Sequence, residues 1–195
     1  MAKRKGSNNR IRIIGGEWRS RQLPFIEAPG LRPTPDRVRE TLFNWLQGKV
    51  AGAHCLDLFS GSGAIAFEAL SRYADKVVLV EKHAAVAQQL KENIDLLGAE
   101  NSRINVINMD ASRYLEQAED AFDLIFLDPP YRKDLLPEVL DQIIGSGLLQ
   151  PNGLIYLEHE SEEQFDWSNW GLQILKESKA GQVLGVLLAI DESPQ

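Results

Sequence analysis

A glycine turn joins a strand to a helix in residues 56–66, which read Leu56-Asp57-Leu58-Phe59-Ser60-Gly61-Ser62-Gly63-Ala64-Ile65-Ala66. Glycine has no Cβ, so Gly61 and Gly63 can adopt positive φ angles and let the backbone come close to a bound group. The segment therefore predicts a site for a nucleotide-type ligand at the carboxyl end of a strand.

Short apolar runs separated by amphipathic stretches extend downstream from this turn, a pattern typical of a parallel sheet with crossover helices. Strands are predicted at 54–59, 76–81, 104–108, 122–127 and 153–158, with a closing hairpin at 172–177 and 183–190. Helices are predicted at 63–72, 84–97, 111–117 and 135–144. The sequence thus predicts an α/β protein with helices on both faces of its sheet.

Three acids lie at predicted strand ends around the glycine turn. Glu81 ends the second strand, where a carboxylate can accept hydrogen bonds from both hydroxyls of a ribose. Asp110 follows the third strand and can accept from an adenine amine, with the Ala111 amide directed at the ring. Asp57 suits a cationic ligand better than a pyrophosphate. These acids favour S-adenosylmethionine, which carries such cations.

The glycine turn alone leaves a second cofactor open. Gly61-x-Gly63-x-x-Ala66 also satisfies the dinucleotide fingerprint, so a nicotinamide enzyme is the rival interpretation. Asp57 is the residue that counts against it.

The sharpest motif is Asp128-Pro129-Pro130-Tyr131, directly after the apolar strand 122–127. Two prolines make a stiff loop whose first carbonyls lack the usual intrachain partners. The Asp128 carboxylate and the Pro129 carbonyl can accept both protons of an exocyclic amine, and Tyr131 offers a ring on which the base can stack. The motif predicts transfer of a methyl group to an amino nitrogen, with Asp128, Pro129 and Tyr131 as the catalytic residues.

Charge is distributed unevenly along the chain, whose net charge is −7. Residues 1–39 hold ten lysines and arginines against three acids, and the remainder holds eleven against twenty-five. Such a basic segment can pair with phosphates of a nucleic acid, although a solvated tail has the same composition. The predicted phosphate contacts are Arg12, Arg19, Arg21, Arg32, Arg37, Arg39 and Arg132.

The basic segment also has predicted structure. Residues 1–10 lack apolar periodicity and are expected to be disordered without a partner. Alternation on either side of Gly15-Gly16 predicts a β-hairpin. A helix follows, capped by Thr34, with Pro35 in its first turn and its end at Gly48. Its predicted inward residues are Val38, Leu42, Trp45 and Leu46.

Composition excludes several classes of protein. The chain has 195 residues, 44% hydrophobic and 25% charged, as expected of one globular domain. It has no apolar run of the roughly 20 residues that a membrane helix needs and no secretory signal, so we expect a cytoplasmic protein without a membrane partner. Cys55 is the only cysteine and the three histidines lack metal-site spacing, so no metal is expected.

Taken together, the motifs resemble the bacterial 16S rRNA guanine-N2 methyltransferase family of the small ribosomal subunit. The resemblance covers residues 11–190. The glycine segment, Glu81-Lys82 and Asp128-Pro129-Pro130-Tyr131 occur in many amino-methyltransferases. More specific motifs are Arg12-Ile13-Ile14-Gly15-Gly16 with Trp18-Arg19 and Arg21, residues 32–46, and Lys179-Ala180-Gly181-Gln182.

This resemblance implies a class I (Rossmann-like) methyltransferase fold, with a seven-stranded, mostly parallel sheet, one antiparallel strand and an N-terminal hairpin extension. It implies S-adenosylmethionine as cofactor, and a segment 32–43 that folds over it. The implied cofactor contacts are Asp57, Phe59, Gly61, Gly63, Glu81, Lys82, Asp110, Ala111 and Asp128. The implied partner is 16S rRNA in the small subunit or its assembly intermediate, bound by a monomer. The chain then divides into a tail (1–10), an RNA-binding extension (11–50) and a methyltransferase domain (51–195).

Other functions fit parts of the same pattern. The Asp128 loop accepts adenine N6 as readily as guanine N2, so a DNA adenine-N6 methyltransferase is the nearest rival, although the chain has little room for a DNA recognition domain. A protein glutamine methyltransferase would generally have Asn at this position. A non-catalytic RNA-binding assembly factor is the alternative from another class, and the intact site residues argue against it.

Overall fold

The computed structural model describes residues 9–28, 31, 33–129 and 135–192. A hairpin is formed by β1 (Arg10–Arg12) and β2 (Gln22–Pro24). The main sheet is formed by β3 (His54–Asp57), β4 (Lys76–Val80), β5 (Ile104–Ile107), β6 (Phe122–Leu127), β7 (Leu149–Glu160), β8 (Leu172–Ala180) and β9 (Val183–Ile190). The helices are α1 (Asp36–Trp45), α2 (Ala64–Ser71), α3 (Ala84–Leu97), α4 (Ala111–Leu115), α5 (Leu135–Gly145) and a 3-10 helix (Trp167–Trp170).

The main sheet has seven strands in the order β5-β4-β3-β6-β7-β9-β8. Strands β3 to β7 pair in parallel, and β9 runs antiparallel to both of its neighbours. The chain proceeds from β3 outward to β4 and β5, then returns to β6 on the other side of β3. Ligands of such sheets bind outside the carboxyl ends of the strands at this reversal. The predicted fold class is confirmed.

Helices cover both faces of the sheet because successive strand residues point to opposite sides. Phe126 and Tyr156 belong to the core that packs against α1, α2 and α3, whereas Leu127 and Leu157 belong to the core beneath α4 and α5. Among the described residues no helix is long and apolar enough to cross a membrane.

The N-terminal extension shares a core with the sheet. Ile11 and Leu23 face each other across the hairpin and are buried in the same cluster as Leu42 of α1 and Phe126 of β6. The hairpin and α1 therefore pack into the same core as the main sheet.

Helix α1 differs from its prediction in its ends and its inward face. It begins at Asp36 with Pro35 in the N-cap position and no side-chain cap, so the expected cap by Thr34 is wrong. It ends at Trp45 rather than Gly48. Leu42 and Leu46 are buried as predicted, but Val38 and Trp45 are only partly buried. Phe43 and Arg39 occupy the interior in addition.

Strand β7 begins earlier than predicted because it contains an irregularity. Phe122 pairs with Leu149 and Leu124 with Leu154, so five positions along β7 match two along β6. The alternating pattern is lost over this bulge, which concealed the start of the strand. Residues 1–8, Pro29, Gly30, Arg32 and 130–134 lie outside the described residues, as do 193–195.

Candidate active site

A cavity of about 310 Å³ opens at the carboxyl ends of the central strands. Its walls come from the glycine turn after β3, the ends of β4, β6 and β7, the start of α4, and residues 33–35 before α1. It lies where the order of the strands reverses, as expected for a nucleotide-type ligand.

The glycine turn is fixed by its own hydrogen bonds. Ser60 Oγ donates to the Asp57 carbonyl at 2.8 Å, and the Gly63 amide donates to the Ser60 carbonyl at 2.7 Å. Gly61 has a φ of +49° and lines the cavity. Gly63 has a φ of +74°, and a Cβ there would lie 2.6 Å from the Phe67 ring, so its packing demands glycine. Gly63, predicted as a cofactor contact, is outside the cavity lining and serves to start α2.

Glu81 is held rigidly at the end of β4. Its carboxylate accepts hydrogen bonds from the amides of Gly61 at 3.0 Å and His83 at 2.7 Å. Asn108 Nδ2 donates to the carbonyls of Glu81 and Lys82 at 2.8 and 3.1 Å, which fixes the loop after β4. A carboxylate has lone pairs for about four hydrogen bonds, so Glu81 can accept two more from a diol. Asn108 was not predicted as a site residue, because nothing in the neighbouring sequence indicates that its side chain fixes this loop.

The adenine side of the predicted site is formed by the start of α4. Asp110 caps this helix by accepting from the Ser112 amide at 3.1 Å, and it remains exposed. Asp110, Ala111, Phe59 and Lys82 all line the cavity. The cap leaves one oxygen of Asp110 available for a ligand amine.

Asp57 ends β3 in the floor of the cavity and is only 4% exposed. The pKa of Asp57 is raised to about 7. Burial is the main cause and the charge of Glu81 adds to it, whereas hydrogen bonds from the amides of Ala66 and Phe59 lower the pKa. Within the described part of the chain, no basic side chain forms an ion pair with this carboxyl. A cationic ligand would supply the missing charge.

Asp128 follows β6 and borders the same cavity, as does Pro129. Burial raises the pKa of Asp128 well above its usual value, and the nearby carboxyls of Glu158 and Asp57 raise it further. Pro130, Tyr131 and Arg132, which complete the predicted loop, lie outside the described residues.

Glu158 is the third carboxyl in this part of the cavity. Tyr156 Oη donates to its Oε1 at 2.9 Å. Burial raises the pKa of Glu158, and the Tyr156 hydrogen bond opposes that shift. We refer to Asp57, Asp128 and Glu158 as the cavity acids.

Glu158, His159 and Glu160 are adjacent in the chain but do not form an acid-base cluster. Neighbouring strand residues point to opposite faces, so His159 packs on the far side against Phe165 and Trp167, with ring centroids 5.1 and 5.9 Å away. Only Glu158 reaches the cavity. Among the described residues no group of three or more His, Cys, Asp or Glu is arranged to hold a metal.

The prediction that Arg39 contacts RNA is wrong, because the residue is buried. It is 1% exposed, and its guanidinium donates to Asp36 at 2.6 Å, Glu68 at 3.3 Å and the Thr34 carbonyl at 3.2 Å. A phosphate cannot reach this group. Arg39 instead fixes residues 34–36 at the wall of the cavity.

Glu68 is the centre of a buried network that joins the N-terminal extension to α2. Its carboxylate is 0% exposed and accepts from the amides of Ile14 at 2.7 Å and Gly15 at 2.8 Å. Arg39 and Arg72 donate to it at 3.3 and 2.7 Å. We call Glu68, Arg39, Arg72 and the two amides the Glu68 network.

The other described arginines predicted to bind RNA are exposed. Arg19 and Arg37 have no ion pair within the described residues. Arg12 pairs with Asp36 at 2.9 Å while 55% of its side chain stays exposed. Arg21 donates to the Leu96 carbonyl at 2.7 Å. Arg32, like Arg132, lies outside the described residues.

Comparison with known proteins identifies the family. Residues 11–188 match the family described as Conserved hypothetical protein 95. Ribosomal RNA small subunit methyltransferase D of Escherichia coli strain K12 is 48% identical over 178 residues, which are 90% of this chain and 88% of the relative. The chain belongs to this family. The enzyme of the same name from Haemophilus influenzae is 44% identical, over 89% of this chain and 90% of its own length.

Two solved structures have the same fold as this chain at high sequence identity. The Escherichia coli protein yhhF superposes with a TM-score of 0.84 at 44% identity, covering 95% of this chain and all of the other. The Haemophilus influenzae protein HI0767 gives a TM-score of 0.82 at 37% identity, covering 94% of this chain and all of the other. The predicted enzyme class, a methyltransferase that uses S-adenosylmethionine, is confirmed together with the resemblance stated from the motifs.

Proposed function

We propose that this chain transfers the methyl group of S-adenosylmethionine to the exocyclic N2 of a guanine in 16S rRNA of the small ribosomal subunit. One observation carries the proposal: Asp128 borders the same cavity as the acids suited to the cofactor. The relatives named ribosomal RNA small subunit methyltransferase D support the choice of RNA.

The cofactor half of the cavity fits S-adenosylmethionine in its hydrogen-bonding groups and its charge. Glu81 accepts from two backbone amides and keeps lone pairs for two ribose hydroxyls. Asp110 and the Ala111 amide suit the adenine edge. Asp57, buried without a basic partner among the described residues, suits the cationic amino group. When bound, the cofactor supplies an electrophilic methyl carbon on a sulfonium.

The acceptor half holds and orients the amine. The Asp128 carboxylate and the Pro129 carbonyl accept its two protons, which directs the nitrogen lone pair at the methyl carbon. A carbon–nitrogen bond forms as the carbon–sulfur bond breaks, and the amine loses one proton. Asp128 can take that proton, since burial raises its pKa toward the range of a useful base. A paired guanine must be everted before N2 can enter the cavity.

The RNA is held by the extension, residues 11–50, which we propose as the RNA-binding part beside the methyltransferase domain of residues 51–195. Exposed Arg12, Arg19, Arg21 and Arg37 are the candidate phosphate contacts in the described residues. Arg32, Tyr131 and Arg132 stay predictions. We also propose that a monomer in the cytoplasm acts on the subunit or its assembly intermediate.

A charge-reversal pair tests the RNA face. Arg19→Glu and Arg37→Glu should each raise KM for the RNA substrate several-fold and leave kcat nearly unchanged, since phosphate contacts position without reacting. The effect should shrink as salt is raised. Glu100→Lys, an exposed charge reversal in the turn before β5, is the matched control. Equal KM values for all three variants would contradict this assignment.

The function itself is tested with labelled methyl donor. Small subunits and naked 16S rRNA from a strain that lacks the enzyme are incubated with the protein, and modified nucleosides are mapped by mass spectrometry. We expect one N2-methylguanosine in 16S rRNA. Label on adenine in DNA would favour the rival, and binding of the RNA without label would favour the assembly-factor alternative.

A further inference from the structure

We propose that Glu158 recognises the target base by accepting the N1–H of guanine, while Asp128 and the Pro129 carbonyl hold the adjacent N2 amine. This rests on the proposed function and adds the group that would distinguish guanine from other amino-bearing bases.

The strand register places the two acids beside each other. Leu127 of β6 pairs with Leu157 of β7 in parallel, so Asp128 and Glu158 are the next residues on neighbouring strands, which lie about 4.8 Å apart. Both face the core that contains Phe126 and Tyr156, because strand side chains alternate. Both line the cavity. The two carboxyls thus form a pair of neighbouring acceptor groups at one wall.

Glu158 is held in place by a rigid neighbour. The Tyr156 hydroxyl donates to Oε1 at 2.9 Å, and a Cβ on Gly185 would lie 2.7 Å from that hydroxyl. The Trp45 ring packs on Tyr156 with centroids 6.5 Å apart. Gly185 therefore leaves the space that the hydroxyl occupies, and Tyr156 acts as a positioning residue for Glu158.

The second carboxylate oxygen of Glu158, Oε2, is available to accept a hydrogen bond from a ligand. Within residues 9–28, 31, 33–129 and 135–192, no hydrogen bond reaches Oε2 and no cation pairs with Glu158. An ionised carboxylate only accepts hydrogen bonds, so the group that meets it must be a donor. Glu158 is half-buried and lines the cavity, so a ligand N–H that enters the cavity can reach this free oxygen.

Guanine alone among the common bases fits this pair of acceptors. Its N2 amine and N1–H are adjacent donors on one edge. The amines of adenine and cytosine stand beside a ring nitrogen that is an acceptor, and an ionised Glu158 would face its lone pair. A site built to bond a donor rejects the analogue that lacks it, because its own polar group is left unpaired.

The experiment compares bases at one position. Mass mapping first locates the methylated guanine; if no N2-methylguanosine forms, the proposed function fails, independently of Glu158. Subunits are then reconstituted with guanosine or 2-aminopurine at that position. 2-Aminopurine keeps the N2 amine but has an acceptor at N1. We measure kcat/KM on both for wild type, Glu158→Ala, Glu158→Gln and the control Glu160→Gln, whose residue lies outside the cavity lining.

Wild type and Glu160→Gln should prefer guanosine by about a hundredfold, the cost of one lost hydrogen bond to a charged group. In Glu158→Ala the preference should fall to a few-fold, through loss of activity on guanosine. In Glu158→Gln it should also fall, because the amide can donate to the 2-aminopurine ring nitrogen. Isothermal calorimetry with S-adenosylmethionine verifies that each variant is folded. An unchanged preference in both Glu158 variants would overturn the inference.

Discussion

Two groups of carboxyls lie on the same side of the sheet and differ in their partners. Glu68 receives two backbone amides and two guanidinium groups, so its charge is compensated inside the protein. The cavity acids have no cationic partner among the described residues, and the pKa of each is raised by burial. A compensated buried charge maintains the fold, whereas an uncompensated one is a cost that a ligand can relieve.

The largest expected effect is on stability, in the compensated group. Glu68→Ala leaves Arg39 buried with less negative charge and leaves the Ile14 and Gly15 amides without acceptors. We expect a loss of about 3–5 kcal/mol in the free energy of unfolding, measured by urea denaturation. Glu68→Gln, which keeps an acceptor of similar shape, should lose less. Wild-type stability of Glu68→Ala would show that the network does not hold the extension in place.

The next effect is on catalysis, in the uncompensated group. Asp128→Ala removes an acceptor for the amine, so we expect kcat to fall by roughly 10²–10³. Its stability should be equal to or above that of wild type, because no partner inside the described residues is left unpaired. Stopped-flow methyl transfer and calorimetry with S-adenosylmethionine provide the two readouts. Near-normal turnover with intact cofactor binding would remove Asp128 from the mechanism.

A third effect links Asp57 to pH. Its pKa is about 7 in the fold against an ordinary 3.8, so between these values the folded protein binds more protons than the unfolded chain. Stability is therefore lost as pH rises from about 4 to 7. In Asp57→Asn without cofactor this loss should be absent.

Unfolding of wild type and Asp57→Asn is to be compared at pH 5 and pH 8. We expect the variant to gain about 2–3 kcal/mol on wild type between these pH values and to bind S-adenosylmethionine poorly. A stability difference that is the same at both pH values would mean that Asp57 does not titrate in the fold as its burial implies.

The smallest expected effect is on the pKa of Asp128. Removing the charge of Glu158 should lower the pKa of Asp128, which Glu158 and Asp57 both raise. Glu158→Gln should then move the acid limb of the kcat profile to lower pH, while the Asp57 carboxyl and the Tyr156 hydroxyl still face Asp128. An unmoved limb, in a variant that still binds cofactor, would show that the two carboxyls are not coupled.

Most of the fold could be predicted because it depends on patterns of residues that are close together in the chain. The glycine turn, the period of the apolar residues and the acids at strand ends predicted the sheet, its helices and the place of Glu81 and Asp110. Errors arose where tertiary contacts decide. The irregular start of β7 has no local signal, and Thr34 does not cap α1, because Pro35 occupies the N-cap position.

The candidate site was predictable to the same extent. Asp57, Gly61, Glu81, Asp110 and Asp128 all border one cavity, as their positions at strand ends suggest. Asn108 was missed, because its hydrogen bonds depend on a neighbouring loop. The position of Glu158 at the cavity wall depends on the neighbouring strand. Arg39 was misassigned to RNA because composition counts a charge without indicating whether it is buried.

The sequence by itself determined the class of enzyme, the glycine turn and the proline-flanked Asp128, since each depends on residues close in the chain. Only the tertiary structure decided that Glu158, thirty residues later, lies beside Asp128, and that Arg39 belongs to Glu68 rather than to a phosphate. Strand register and the pairing of buried charges depend on contacts between distant segments. No local pattern specifies which carboxyl forms an ion pair inside the protein and which remains available to a ligand.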